Sequence, residues 1–139
     1  MENGAERAEF WKDFILKNAR YPAPSRLRSQ FDGAKFFDFC RCGCNTFRIE
    51  PPEGVKQALI GHAQDLPEGA GASIYEADFE LTDGRTIEII LFADRNGHLS
   101  EVEVDCCANS YPVPDEIEIN GPPFHTRAAK GLFADIGSS

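Results

Sequence analysis

Two glycine-centred turns constrain this chain more than anything else in it. Thr82-Asp83-Gly84 separates the alternating run Ser73–Leu81 from Thr86–Phe92, and Asn96-Gly97 separates that run from Leu99–Cys106. Asp-Gly and Asn-Gly between alternating segments are strong hairpin signals. The stretch Ala72–Cys107 therefore predicts a three-stranded antiparallel meander. Strand side chains alternate with period two, so one face takes Tyr75, Ala77, Phe79, Leu81, Ile87, Ile89 and Leu91. A three-residue first loop, with Gly84 left-handed, pairs Phe79 with Ile87 and keeps Glu80 out of the apolar layer. A two-residue Asn96-Gly97 loop pairs Leu91 with Val102 and Ile89 with Val104. The same pairing sets Phe92 opposite Glu101 and Ile90 opposite Glu103.

Elements on both sides complete an α+β domain, an antiparallel sheet of about five strands with an N-terminal helix packed on one face. Phe10, Trp11, Phe14 and Ile15 recur at helical spacing and predict a helix over Ala5–Asn18 that docks through that stripe. It stops before Tyr21-Pro22-Ala23-Pro24. Ser25 is placed to cap a second helix, Arg26–Phe31, so residues 5–31 form a helical segment. Ala34–Arg41 and Asn45–Glu50 read as strands, giving a sheet region over residues 34–107. That region contains a long Gly/Pro-rich loop, 51–72, with room for a helix at Val55–Gly61. Tyr111–Pro114 is extended, Glu116–Asn120 reads as a short edge strand, and the 121–139 tail has space for a brief helix at Ala128–Phe133.

The 139 residues fit one domain and can bury a core without disulfides or metal. The chain carries 14 basic and 23 acidic residues, a net charge of −9. That balance argues against binding nucleic acid through its phosphates and is compatible with a basic protein partner. No apolar run approaches a membrane span, and no apolar leader precedes the first helix. Five cysteines, an odd number, then read as reduced cytoplasmic thiols.

Cys40, Cys42 and Cys44 are the candidates for metal or thiol chemistry. Zinc needs converging thiolates. Alternate residues of an extended strand lie roughly 6.6 Å apart, which spreads three thiols out, whereas a turn at Gly43, a natural reversal point, gathers Cys42 and Cys44. The spacing also lacks the two to four residues that usually separate zinc cysteines. The expectation is therefore no cofactor and no stoichiometric zinc, with zinc on this trio as the alternative. Cys42, beside Arg41, is the candidate nucleophile, because a nearby cation lowers a thiol pKa. His62, His98 and His125 lie in separate loops or turns, and no motif ties one to Cys42 as a base. No phosphate loop, dinucleotide fingerprint or nucleophile elbow is present, so no catalytic residue is assigned.

A second candidate site lies on the sheet. Glu76, Asp78, Glu80, Glu88, Glu101, Glu103 and Asp105 share the face opposite the apolar layer. Ile90 and Phe92 sit among them. Apolar residues rimmed by one sign of charge resemble a protein-binding patch, with Glu88, Glu101 and Glu103 around Ile90 and Phe92. A non-catalytic binding module, in its specific form a small immunity or inhibitor protein, is the expected function. A cysteine-dependent or zinc-binding protein is the alternative.

Arg41-Cys42-Gly43-Cys44-Asn45-Thr46 and Asn96-Gly97-His98-Leu99-Ser100-Glu101-Val102-Glu103-Val104 together resemble a family of short, uncharacterised, mostly bacterial proteins. That family combines a Cys-Gly-Cys-x-Ser/Thr segment with an Asp/Asn-Gly-x-Leu-Ser-Glu-x-Glu-Val hairpin and a Pro-rich stretch, here Pro112-Val113-Pro114. Asn45 stands where a proline is usual, and Cys106-Cys107 departs from the family pattern. The resemblance implies a shared fold over Phe31–Pro114 and no particular activity.

Overall fold

The computed structural model describes residues 3–54, 59–60, 72–129 and 132. It has two helices, α1 (Ala5–Asn18) and α2 (Pro24–Phe31), and six strands. The strands are β1 (Lys35–Phe37), β2 (Phe47–Glu50), β3 (Ala72–Glu80), β4 (Thr86–Ala93), β5 (Leu99–Cys106) and β6 (His125–Ala128). They form one antiparallel sheet in the order β1-β2-β5-β4-β3-β6. The expected α+β architecture is correct, with one strand more than expected.

The meander forms the middle of the sheet. Its first turn is as expected: Leu81 N–H donates to Arg85 O at 2.8 Å, Gly84 has φ +92°, and Phe79 pairs with Ile87. The second turn reaches the expected register by another route. Asp94 N–H donates to His98 O at 2.8 Å and Gly97 N–H to Asp94 O at 3.1 Å, so the loop holds three residues, with Gly97 left-handed at φ +83°. That loop alone would shift the register by one. A bulge at Ser100, between the pairs Ala93↔Leu99 and Phe92↔Glu101, cancels the shift and yields Leu91↔Val102 and Ile89↔Val104.

The inner face carries the core, where Phe79, Ile87, Ile89, Leu91, Val102 and Val104 are fully buried. α1 covers it through Ala8, Trp11, Phe14 and Ile15, and the Phe14 ring meets Phe79 edge-on at 5.2 Å. Phe10, expected on this stripe, is exposed; Arg7 is buried in its place. The Arg7 guanidinium lies 4.7 Å over the Phe10 ring, so the ring shields a charge instead of joining the core. α2 begins at Pro24, not Arg26, and Ser25 does not cap it. Proline is pre-set for the first helical turn, so Ala23 becomes the boundary residue. Gln30 of α2 is buried, and its Oε1 accepts from Leu99 N–H at 2.9 Å, fixing the helix to the second hairpin.

Other expected elements differ. The strand Ala34–Arg41 stops at Phe37 because Asp38 turns left-handed at φ +53°. Asn45 and Thr46 precede β2 instead of joining it. Glu116–Asn120 makes only an isolated bridge, Ile119 to Leu81. Gly121-Pro122-Pro123 interrupts the pairing, and the chain rejoins the sheet edge as β6, which pairs with β3. Ala128, expected to start a helix, ends that strand. The helix placed at Val55–Gly61 lies outside the described residues, apart from Leu59 and Ile60, which are not helical. No helix among the described residues is long and apolar enough to cross a membrane.

Candidate functional site

Two places gather the residues singled out from the sequence. The first is the outer face of the sheet. Strand register lays its side chains in rows. One row runs Arg48, Glu101, Phe92, Ser73; the next Glu103, Ile90, Glu76, Arg127; the third Asp105, Glu88, Asp78, His125. All five predicted patch residues, Glu88, Ile90, Phe92, Glu101 and Glu103, fall within these rows on β4 and β5. Ile90 and Phe92 are half-buried and stand outside the core.

The carboxylates divide by edge. On the β6 side, Asp78 Oδ2 meets His125 Nδ1 at 2.9 Å and Glu76 Oε2 meets Arg127 Nε at 3.4 Å. Glu88 Oε1 accepts from Ala108 N–H at 2.6 Å. Its Oε2 and Asp78 Oδ1, on directly paired positions, are buried without a hydrogen-bond partner among the described residues. Burial pushes both carboxyls above their ordinary pKa. Glu103 goes furthest, to about 7, through burial first and then the charges of Asp105 and Glu101. Like charges opposite or beside one another destabilise a sheet, so this face costs stability to keep.

The second place is the loop between β1 and β2. The three thiols converge: the Sγ atoms of Cys40, Cys42 and Cys44 all lie within 4.8 Å of one another, and Cys42 and Cys44 approach to 3.2 Å. This corrects the expectation that alternate cysteines would spread. The segment is not a strand, because Asp38 at φ +53° and Gly43 at φ +106° fold it back on itself. Glycine suits position 43 because its φ of +106° is a conformation that side-chain-bearing residues rarely adopt.

Distant parts of the chain hold the loop. Asn3 Nδ2 donates to Cys40 O at 3.0 Å and Thr46 O at 2.8 Å. Asn45 N–H donates to Val104 O at 3.0 Å, and Val113 N–H to Gly43 O at 2.9 Å. Buried Asn45 accepts at Oδ1 from Arg7 Nε and Trp11 Nε1, both at 2.9 Å. Arg7 also donates to Pro114 O at 2.6 Å and Asp115 O at 2.9 Å. A cavity of about 370 Å³ opens beside the loop, lined among others by Asn3, Cys40, Cys44, Pro112 and Asp115.

Cys42 is exposed and Cys44 buried. The Cys42 pKa is lowered to about 7, first by the hydrogen bond from Cys40 and then by the backbone N–H of Cys44. Hydrogen bonding is thus the cause, in place of the expected Arg41. Burial pushes Cys40 up to about 12, so Cys42 is the more acidic of these two thiols. Among the described residues no histidine lines the cavity. His98 sits 3.4 Å from Gln30 Nε2, His125 is on β6, and His62 lies outside the described residues. Cys106 and Cys107, 3.7 Å apart, form a separate pair at the end of β5.

Arg7, Asn45 and Asn3 were not legible as site residues. One signal existed for Arg7: it lies four residues before Trp11, so a charge shares the helix face that docks. No family model matches the chain, and neither a curated protein nor a solved structure matches it.

Proposed function

We propose that this chain is a cytoplasmic, non-catalytic protein-binding module, of the immunity or inhibitor kind, that takes a basic partner on the outer face of its sheet. The observation that carries this reading is the position of Ile90 and Phe92. They lie opposite the helix-covered side, and Glu76, Glu101 and Glu103 occupy the paired positions beside them. An apolar centre with an acidic rim complements a partner with an apolar contact ringed by lysine or arginine. The net charge of −9 favours the same class of partner. The chain's likeness to short bacterial proteins with a Cys-Gly-Cys segment is compatible with such a role.

The test compares wild type with Phe92→Ala and Glu101→Lys, using a basic protein recovered with the wild-type chain from its own cells. Phe92→Ala is expected to weaken binding by about 2 kcal/mol, mainly through faster dissociation. Glu101→Lys is expected to slow association and flatten its dependence on salt. A thermal melt accompanies both. Were Phe92 a core residue, Phe92→Ala would cost about 3–5 kcal/mol of folding stability, and a melting temperature lowered to match would withdraw the surface reading.

A further inference from the structure

We propose that Cys40, Cys42 and Cys44 form a three-thiolate site for one zinc ion, with the fourth coordination position open to the adjoining cavity. Tetrahedral zinc with bonds of about 2.3 Å places its sulfurs about 3.8 Å apart. The observed separations, 3.2 Å for Cys42 and Cys44 and at most 4.8 Å within the trio, bracket that spacing. Small side-chain rotations are enough to bring the three sulfurs onto one ion. The site is independent of the sheet-face reading.

The loop is built to hold this arrangement. It turns at Gly43, whose φ of +106° would strain any other residue. Asn3 clamps its two ends, and the Arg7–Asn45–Trp11 network anchors it from below. None of these contacts uses a thiol sulfur. Outer groups that fix ligands in this way are what a metal site needs. Oxidation of Cys42 and Cys44 to a disulfide would compete for the same sulfurs, so the ion binds the reduced form. Each thiol gives its proton to solvent as the ion enters.

No fourth cysteine, histidine or carboxylate joins the cluster among the described residues. Three protein ligands leave one position for water or an added ligand. The cavity reaches Cys40 and Cys44 and is also lined by Asn3 and Asp115. Asn3 Oδ1 is a buried acceptor with no hydrogen-bond partner among the described residues, which suits a metal-bound water.

The reduced chain, freed of metal, is titrated with zinc against a chromophoric chelator, and with cobalt(II) as a spectroscopic probe. One equivalent of zinc is expected. Cys42 is exposed, so Cys42→Ser keeps the fold. It should weaken zinc binding beyond the roughly 100-fold that loss of a supporting residue can cause. Cys107→Ser should leave binding unchanged. The cobalt form should show thiolate charge-transfer absorption, and imidazole should shift its visible bands by entering the open position. Sub-stoichiometric binding, binding indifferent to Cys42→Ser, or a cobalt spectrum without thiolate absorption would overturn the site. Visible bands unmoved by imidazole would overturn the open position.

Discussion

Glu103 illustrates how one residue can make stability depend on pH. Its carboxyl is displaced from the ordinary 4.5 to about 7. The folded chain therefore holds this proton more tightly than the unfolded chain. Its contribution is fully present below pH 4.5 and is lost as pH rises through about 7. Asp78 and Glu88 are displaced in the same direction, so they add to the trend. Glu103→Gln keeps the shape and removes the charge. Chemical denaturation should find this variant more stable than wild type at about pH 8 and nearly equal to it at about pH 4. An equal effect at both values would mean that the side chain acts through packing and not through its charge.

At the scale of elements, α1 works as a clamp as well as a cover. Arg7 satisfies two tail carbonyls and Asn45 at once. Arg7→Met keeps the apolar stem but strands those acceptors, so urea unfolding should show a loss of about 3 kcal/mol. Lys12→Met, on the more exposed side of the same helix, should cost well under 1 kcal/mol, its ion pair with Glu9 being a surface one. A small loss for Arg7→Met would show that water replaces the guanidinium at the tail carbonyls. The hairpins show why some elements were readable and others only half so. Glycine chemistry and period-two alternation are local, and they located both turns. The Ser100 bulge arises where the loop geometry and the apolar register disagree, and neither alone announces it. β6 was missed because its four residues are all exposed and carry no alternation.

The molecule as a whole separates what neighbours in sequence decide from what distant segments decide. The sheet's centre belongs to the first kind and was legible. The thiol loop belongs to the second: Asn3, Arg7, Val104 and Val113 shape it from far along the chain, and no spacing rule within Cys40–Cys44 reports that. The strand order β1-β2-β5-β4-β3-β6 has a kinetic consequence. Its middle three strands are consecutive and joined by tight turns, so their contacts close short loops. β2 must instead cross a long connection to reach β5, at a higher entropic cost. The meander is thus the natural folding nucleus, with β1, β2 and β6 added after the barrier. Ile89→Val in β4 and Ile49→Val in β2 each remove one buried methylene, at about 1 kcal/mol. Stopped-flow chevrons should place the first loss mainly in the folding rate and the second mainly in the unfolding rate, with φ above about 0.5 and below about 0.3. The reverse assignment would mean that the chain starts from its ends, and that the thiol loop takes shape before the sheet it rests on.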